Sequence, residues 1–157
     1  MQKKIVVLLA MLMVFGLTLT AKDLKLGEEI KIEKVTKVSE ILENPDKYLD
    51  KDVRVEGFII DGCMHHGTWI SIAGDKDFQS LMIRQKEGKI TFPLQHRGLY
   101  CIVEGTVYFV ELNEEQAIQW LQHLEETHGQ KADLSLAKGG MKIYRINPTG
   151  AILKEKK

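Results

Sequence analysis

Cys63, His65 and His66 place one thiol and two imidazoles within four consecutive residues, in the segment Asp61-Gly62-Cys63-Met64-His65-His66-Gly67-Thr68-Trp69. Thiolate with imidazole is a ligand set for zinc or copper. A thiol beside an imidazole base is also the beginning of a nucleophile, and in an oxidising compartment it can close a disulfide. Consecutive side chains of an extended loop point opposite ways, so one histidine, His66, is expected to bind while His65 faces solvent.

The second cysteine, Cys101, permits a single intrachain disulfide with Cys63. As a metal ligand it would add a second thiolate, and His123 would be a fourth group. Cys101 also alternates with Leu99 and Val103, which is the place of a small core residue. His96 and His128 read as surface histidines, and Met64 as a residue packing against Trp69. The chain has no C-x-x-C, zinc-finger spacing, oxyanion-hole signature, phosphate-cradling loop or serine elbow. No catalytic residue is assigned, and binding is expected in preference to catalysis.

The elements that must position these groups begin after residue 21. Met1-Gln2-Lys3-Lys4 is basic, Ile5 to Leu19 is almost wholly apolar, and Thr20-Ala21 is small, which predicts a signal peptide over residues 1–21. An uncleaved N-terminal anchor is the alternative, and the one route to a membrane. Residues 22–157 are expected to form a single periplasmic or secreted domain. The 22 basic and 22 acidic residues of the full chain become an acidic excess once Lys3 and Lys4 leave with the signal. That excludes a nucleic-acid partner, which needs a net basic face.

Residues 22–34 predict a lead-in that adds a strand. Ser39 is the expected N-cap of a short helix ended by Asn44-Pro45. From Asp52 the pattern is β, with Val53, Val55, Gly57 and Ile59 on one face, and it breaks at Gly62. Trp69 to Ile72 and Leu81 to Arg84 predict two more strands around the turn Gly74-Asp75-Lys76-Asp77. After a connection over residues 85–97, Leu99 to Val110 predicts a fourth strand carrying Cys101 and Gly105. Glu114 to Glu126 has helical spacing, with Asn113 as N-cap and Gly129 as stop. Met141 to Ile146 predicts a short fifth strand, and Asn147-Pro148-Thr149-Gly150 a turn into Ala151-Ile152-Leu153.

The fold class expected from this order is mainly β with flanking helices, a small five-stranded OB-like Greek-key barrel. The glycines in the first and fourth strands suit strongly bent strands. In such a barrel the first strand runs antiparallel to the fourth, which predicts that Cys63 and Cys101 share a neighbourhood. Trp69 then lies on the face of the second and third strands, where OB barrels stack ligands.

Val53-Arg54-Val55-Glu56-Gly57, the Cys63 to Trp69 segment, Val103-Glu104-Gly105, His123 in its Glu-rich helix, and Thr149-Gly150-Ala151-Ile152 occur in order. With these motifs the chain resembles an uncharacterised family of secreted bacterial OB-like domains with a C-x-x-x-G-C-W signature, over about Val35 to Leu153. Cys63, Gly67 and Trp69 match that signature, whereas Thr68 stands where it has its second cysteine. The resemblance implies a fold and no established activity. If relatives build a site from that cysteine pair, this chain must rebuild it from His65, His66 or Cys101.

The leading expectation is a small periplasmic protein holding zinc or copper through Cys63, His65, His66, Cys101 and His123, for sensing, storage or delivery to a protein partner. The alternative is a metal-free ligand- or protein-binding module, with Trp69 at its site and the cysteines paired or free. The third is a thiol-dependent redox enzyme.

Overall fold

The computed structural model describes residues 23–129 and 131–154. The signal-peptide expectation for residues 1–21 lies outside them. The elements in order are β1 (Leu24–Gly27), α1 (Val38–Glu43), α2 (Pro45–Tyr48), β2 (Asp52–Gly62), β3 (Trp69–Ala73), β4 (Ser80–Arg84), β5 (Tyr100–Leu112), α3 (Glu114–His128), a 3-10 turn (Leu134–Ala137) and β6 (Met141–Lys154).

Strands β2 to β6 close into a five-stranded barrel in the order β6-β4-β3-β2-β5, with β5 pairing back onto β6. The β4–β6 pairing is parallel, and the β2–β3, β2–β5, β3–β4 and β5–β6 pairings are antiparallel. This is the OB-like Greek key expected from the sequence, with β1 added along the outside of β6. Period-two patterning produces it: Val53, Val55 and Ile59 of β2, Ile70 and Ile72 of β3, Leu81 and Ile83 of β4, and Cys101, Val103 and Val107 of β5 fill the interior. Gly57 and Gly105 serve close approach, since a Cβ would stand 2.5 Å from the Ala73 carbonyl oxygen and 2.3 Å from that of Asn147.

Three local expectations change. Residues 147–150 do not form a turn: β6 runs unbroken through Pro148. Pro148 pairs with Gly105 and Gly150 with Glu104, which leaves Thr149 as an extra residue. A bulge there accommodates a proline that cannot donate to the ladder. Ser39 is not an N-cap, because α1 starts one residue earlier, after Lys37. Ser39 instead gives its N–H and hydroxyl to the Asp75 carboxylate at 2.9 and 2.7 Å, so the β3–β4 turn caps the helix. Those bonds hold the Asp75 carboxyl below its usual range.

The connection over residues 85–99 plugs the barrel end with Ile90, Phe92 and His96. His96 is therefore a core residue, 0 % exposed, and not a surface histidine.

Beyond the β4 pairing, β5 and β6 continue as a two-stranded ribbon joined by α3. Asn113 and Gln116 form a reciprocal capping box at the start of α3, and Gly129 ends it at φ +68°. Ala117 and Leu121 pack with Ala137, Leu112, Ile118 and Met141 in a cluster of their own, separate from the barrel core. Among the described residues no helix is long and apolar enough to cross a membrane.

Candidate binding groove and the Cys63 loop

Because α3 packs on the ribbon, its Trp120, His123 and Leu124 face the outside of the barrel across a gap. That gap is a groove of about 300 Å³. Its barrel wall is Asp61, Trp69, Ser71, Ser80 and Met82, from the outer faces of β2, β3 and β4. Met141, Lys142, Ile143 and Tyr144 of the ribbon, with Leu42 of α1, complete it. The chain contains two tryptophans, and both line this groove. Each is half-buried, with part of its indole left to solvent. Trp120 has His123 beside it at 6.4 Å between ring centres and the Arg145 guanidinium 5.8 Å from its own. The location is the face of the second and third barrel strands, where OB folds take ligands.

Asp61 is the acid of the groove. Its Oδ1 accepts from Arg97 at 2.9 Å, and its side chain is 18 % exposed against 67 % for that arginine. Cys63 follows directly on Gly62, the last residue of β2, which is buried on the inner side. A Cβ on Gly62 would lie 2.2 Å from His96 Nε2. His96 is fixed from its other side, with Nδ1 2.5 Å from the Pro93 carbonyl oxygen.

The loop after β2 is closed by its own backbone. Cys63 N–H donates to the Trp69 carbonyl at 2.9 Å, Gly67 N–H to the Cys63 carbonyl at 3.3 Å, and Phe92 N–H to the Gly67 carbonyl at 2.8 Å. This curl turns amide protons onto the sulfur, with His66 N–H 3.4 Å from Sγ. The N–H groups of His66, then His65, then Thr68 lower the Cys63 thiol from 9.0 to about 6, and the Thr68 hydroxyl adds to them. At neutral pH Cys63 is therefore mainly thiolate.

The structure does not bring the five expected metal ligands together. Both cysteines are free thiols. Cys101 pairs with Gly57, six residues before Cys63, which is on the order of 20 Å of extended strand. The expected neighbourhood fails because β2 outruns β5. Past Phe58, paired with Tyr100, only Ile59 still bonds to Gly98 and Leu99 just before β5, and β2 then bulges and continues against β3. Cys101 lies in the barrel core, where burial pushes its thiol up to about 12. His65 and His66 are exposed, 6.4 Å apart between ring centres, and His123 belongs to the groove. Among the described residues no group of three or more His, Cys, Asp or Glu side chains is placed to hold a metal ion.

Trp69 lines the groove instead of plugging the core. Asp61, Met82, Trp120 and Tyr144 are groove residues that the sequence reading did not single out. Trp120 could have been found, since it precedes His123 by three and Leu124 by four on α3 and so shares their side of the helix. Asp61 is two residues before Cys63, at the end of β2. No known protein-family model matches the chain, and no curated protein matches it.

Proposed function

We propose that the protein is an exported OB-type binding module whose ligand lies in the groove between α3 and the outer face of β3 and β4. The observation that supports this reading is that both tryptophans of the chain are half-exposed in one cleft. Large apolar side chains left partly open to water in a concave site give up favourable burial, and a ligand with an apolar body restores it. Membership of a secreted bacterial OB-like family with the C-x-x-x-G-C-W signature belongs to the same proposal.

The test uses the neutral apolar dye N-phenyl-1-naphthylamine, which accepts energy from excited tryptophan. Saturable transfer is expected in the native protein, and affinity is expected to fall about tenfold in Trp69→Ala and Trp120→Ala, as for loss of a stacking aromatic. Absence of saturable transfer in a protein that is folded by circular dichroism would remove the groove as a site.

The Cys63 loop favours a second reading, in which the thiolate and one imidazole of His65 or His66 hold a zinc or copper ion. Amide protons directed at a sulfur stabilise the deprotonated form that a metal requires. Stoichiometric uptake by the untagged protein, abolished in Cys63→Ser, is the expected result. Uptake that survives Cys63→Ser would eliminate this site.

A further inference from the structure

The charges of the groove define what it can hold. On the barrel wall the charged group is the Asp61 carboxylate, among Trp69, Ser71, Ser80 and Met82. On the opposite wall it is Lys142, with no acid beside it in the groove lining. Both groups make ion pairs that lead away from the groove. Asp61 meets the exposed Arg97 at 2.9 Å, and Lys142 lies 3.8 Å from Glu111. The Lys142–Glu111 pair is open to solvent at both ends and the Asp61–Arg97 pair at its arginine, so each is weak enough to exchange for a ligand's charge. Apart from Ser71, Ser80 and His123, the rest of the two walls is aromatic and aliphatic, with Trp69, Met82, Trp120, Tyr144 and Ile143.

A complementary ligand carries a cation at one end, an anion at the other and apolar groups between. A volume of about 300 Å³ is at the lower limit for small-molecule pockets, which restricts its size. We infer that the groove takes a short peptide, a di- or tripeptide with apolar side chains and both termini free. Its ammonium group meets Asp61 and its carboxylate meets Lys142, while its side chains lie against the tryptophans. This rests on the groove being the binding site, and it adds the ligand class.

The experiment is displacement of N-phenyl-1-naphthylamine from the full chain by Leu-Phe, its N-acetyl form and its C-terminal amide, read by tryptophan energy transfer. Free Leu-Phe is expected to displace the dye, with each blocked form at least tenfold weaker. Asp61→Asn should erase the preference for a free amino terminus, and Lys142→Met the preference for a free carboxylate. Circular dichroism on each variant verifies the fold. If free and blocked peptides compete equally, or none competes while the dye still binds, the peptide assignment is overturned and the groove reading stands. If the dye itself does not bind, both fall.

Discussion

Two cysteines at separate places in one barrel have opposite chemistry, and the difference lies in which backbone groups face each sulfur. Cys63 sits where the chain leaves β2 and curls, so amide protons of His66, His65 and Thr68 converge on its thiol and bring it to about 6. Cys101 lies within β5, where the ladder with β2 and β6 spends the neighbouring amides on strand pairing. Its sulfur lies in the barrel core, and burial raises it to about 12. Local backbone, more than residue type or distance in sequence, separates a reactive thiol from a core filler.

Placing a carboxylate at each position is the harshest way to break that comparison. Cys101→Asp buries an unpaired group in the barrel and is expected to cost about 4 kcal/mol, enough to unfold much of the protein. Cys63→Asp keeps an anion under the same amide donors and should leave stability nearly unchanged. Urea titrations of both variants check this, and equal losses would contradict the assignment of environments.

Alkylation of the native protein is the next test. Near pH 7 the two thiolate fractions differ by about 10⁵, partly offset by the lower intrinsic nucleophilicity of the less basic sulfur. Iodoacetamide should therefore modify Cys63 at least about a hundredfold faster, as resolved by peptide mass spectrometry. The Cys63 rate should rise through pH 6 and level off above it.

Stability should respond to pH with opposite signs at the two sites. Cys63, lowered from 9.0, contributes stability that is complete above about pH 9 and is lost as pH falls through 6. Cys101, raised from 9.0, contributes stability that is complete below about pH 9 and is lost as pH rises towards 12.

The gentlest test sharpens the loop side alone. Cys63 N–H bonds the Trp69 carbonyl and Gly67 N–H the Cys63 carbonyl, so the loop folds residue 68 back beside residue 63. Thr68→Cys should form a disulfide with Cys63 on air oxidation, lowering the mass by two hydrogens and protecting both from alkylation. Two alkylatable thiols after oxidation would show that the loop does not hold these positions together.

Much of the barrel was legible because its signal is local. Alternation over Val53, Val55, Gly57 and Ile59 needs nothing beyond the pleat, and Asn113 with Gln116 marks the start of α3 within four residues. The failures fall where a residue answers to something distant. Ser39 has the chemistry of an N-cap, but Asp75 reaches it from the β3–β4 turn. Pro148 has the chemistry of a turn, but β5 absorbs it as a bulge. His96 has the composition of a surface residue, but Gly62, lacking a Cβ, leaves room for its ring in the barrel end.

The sequence by itself determined that a five-stranded OB-like barrel would form, that a thiol and two imidazoles would sit in the loop leaving its first strand, and that α3 would start and stop where it does. Periodicity, capping and turn chemistry are short-range and can be read from one chain. Only the tertiary structure decided that Cys101 stays far from Cys63, because register depends on where each strand ends and bulges. It also decided that Trp69 and Trp120, fifty-one positions apart, face each other across one groove. That arrangement exists because α3 packs against the ribbon instead of the barrel core, and a choice between two apolar partners is made by packing in three dimensions.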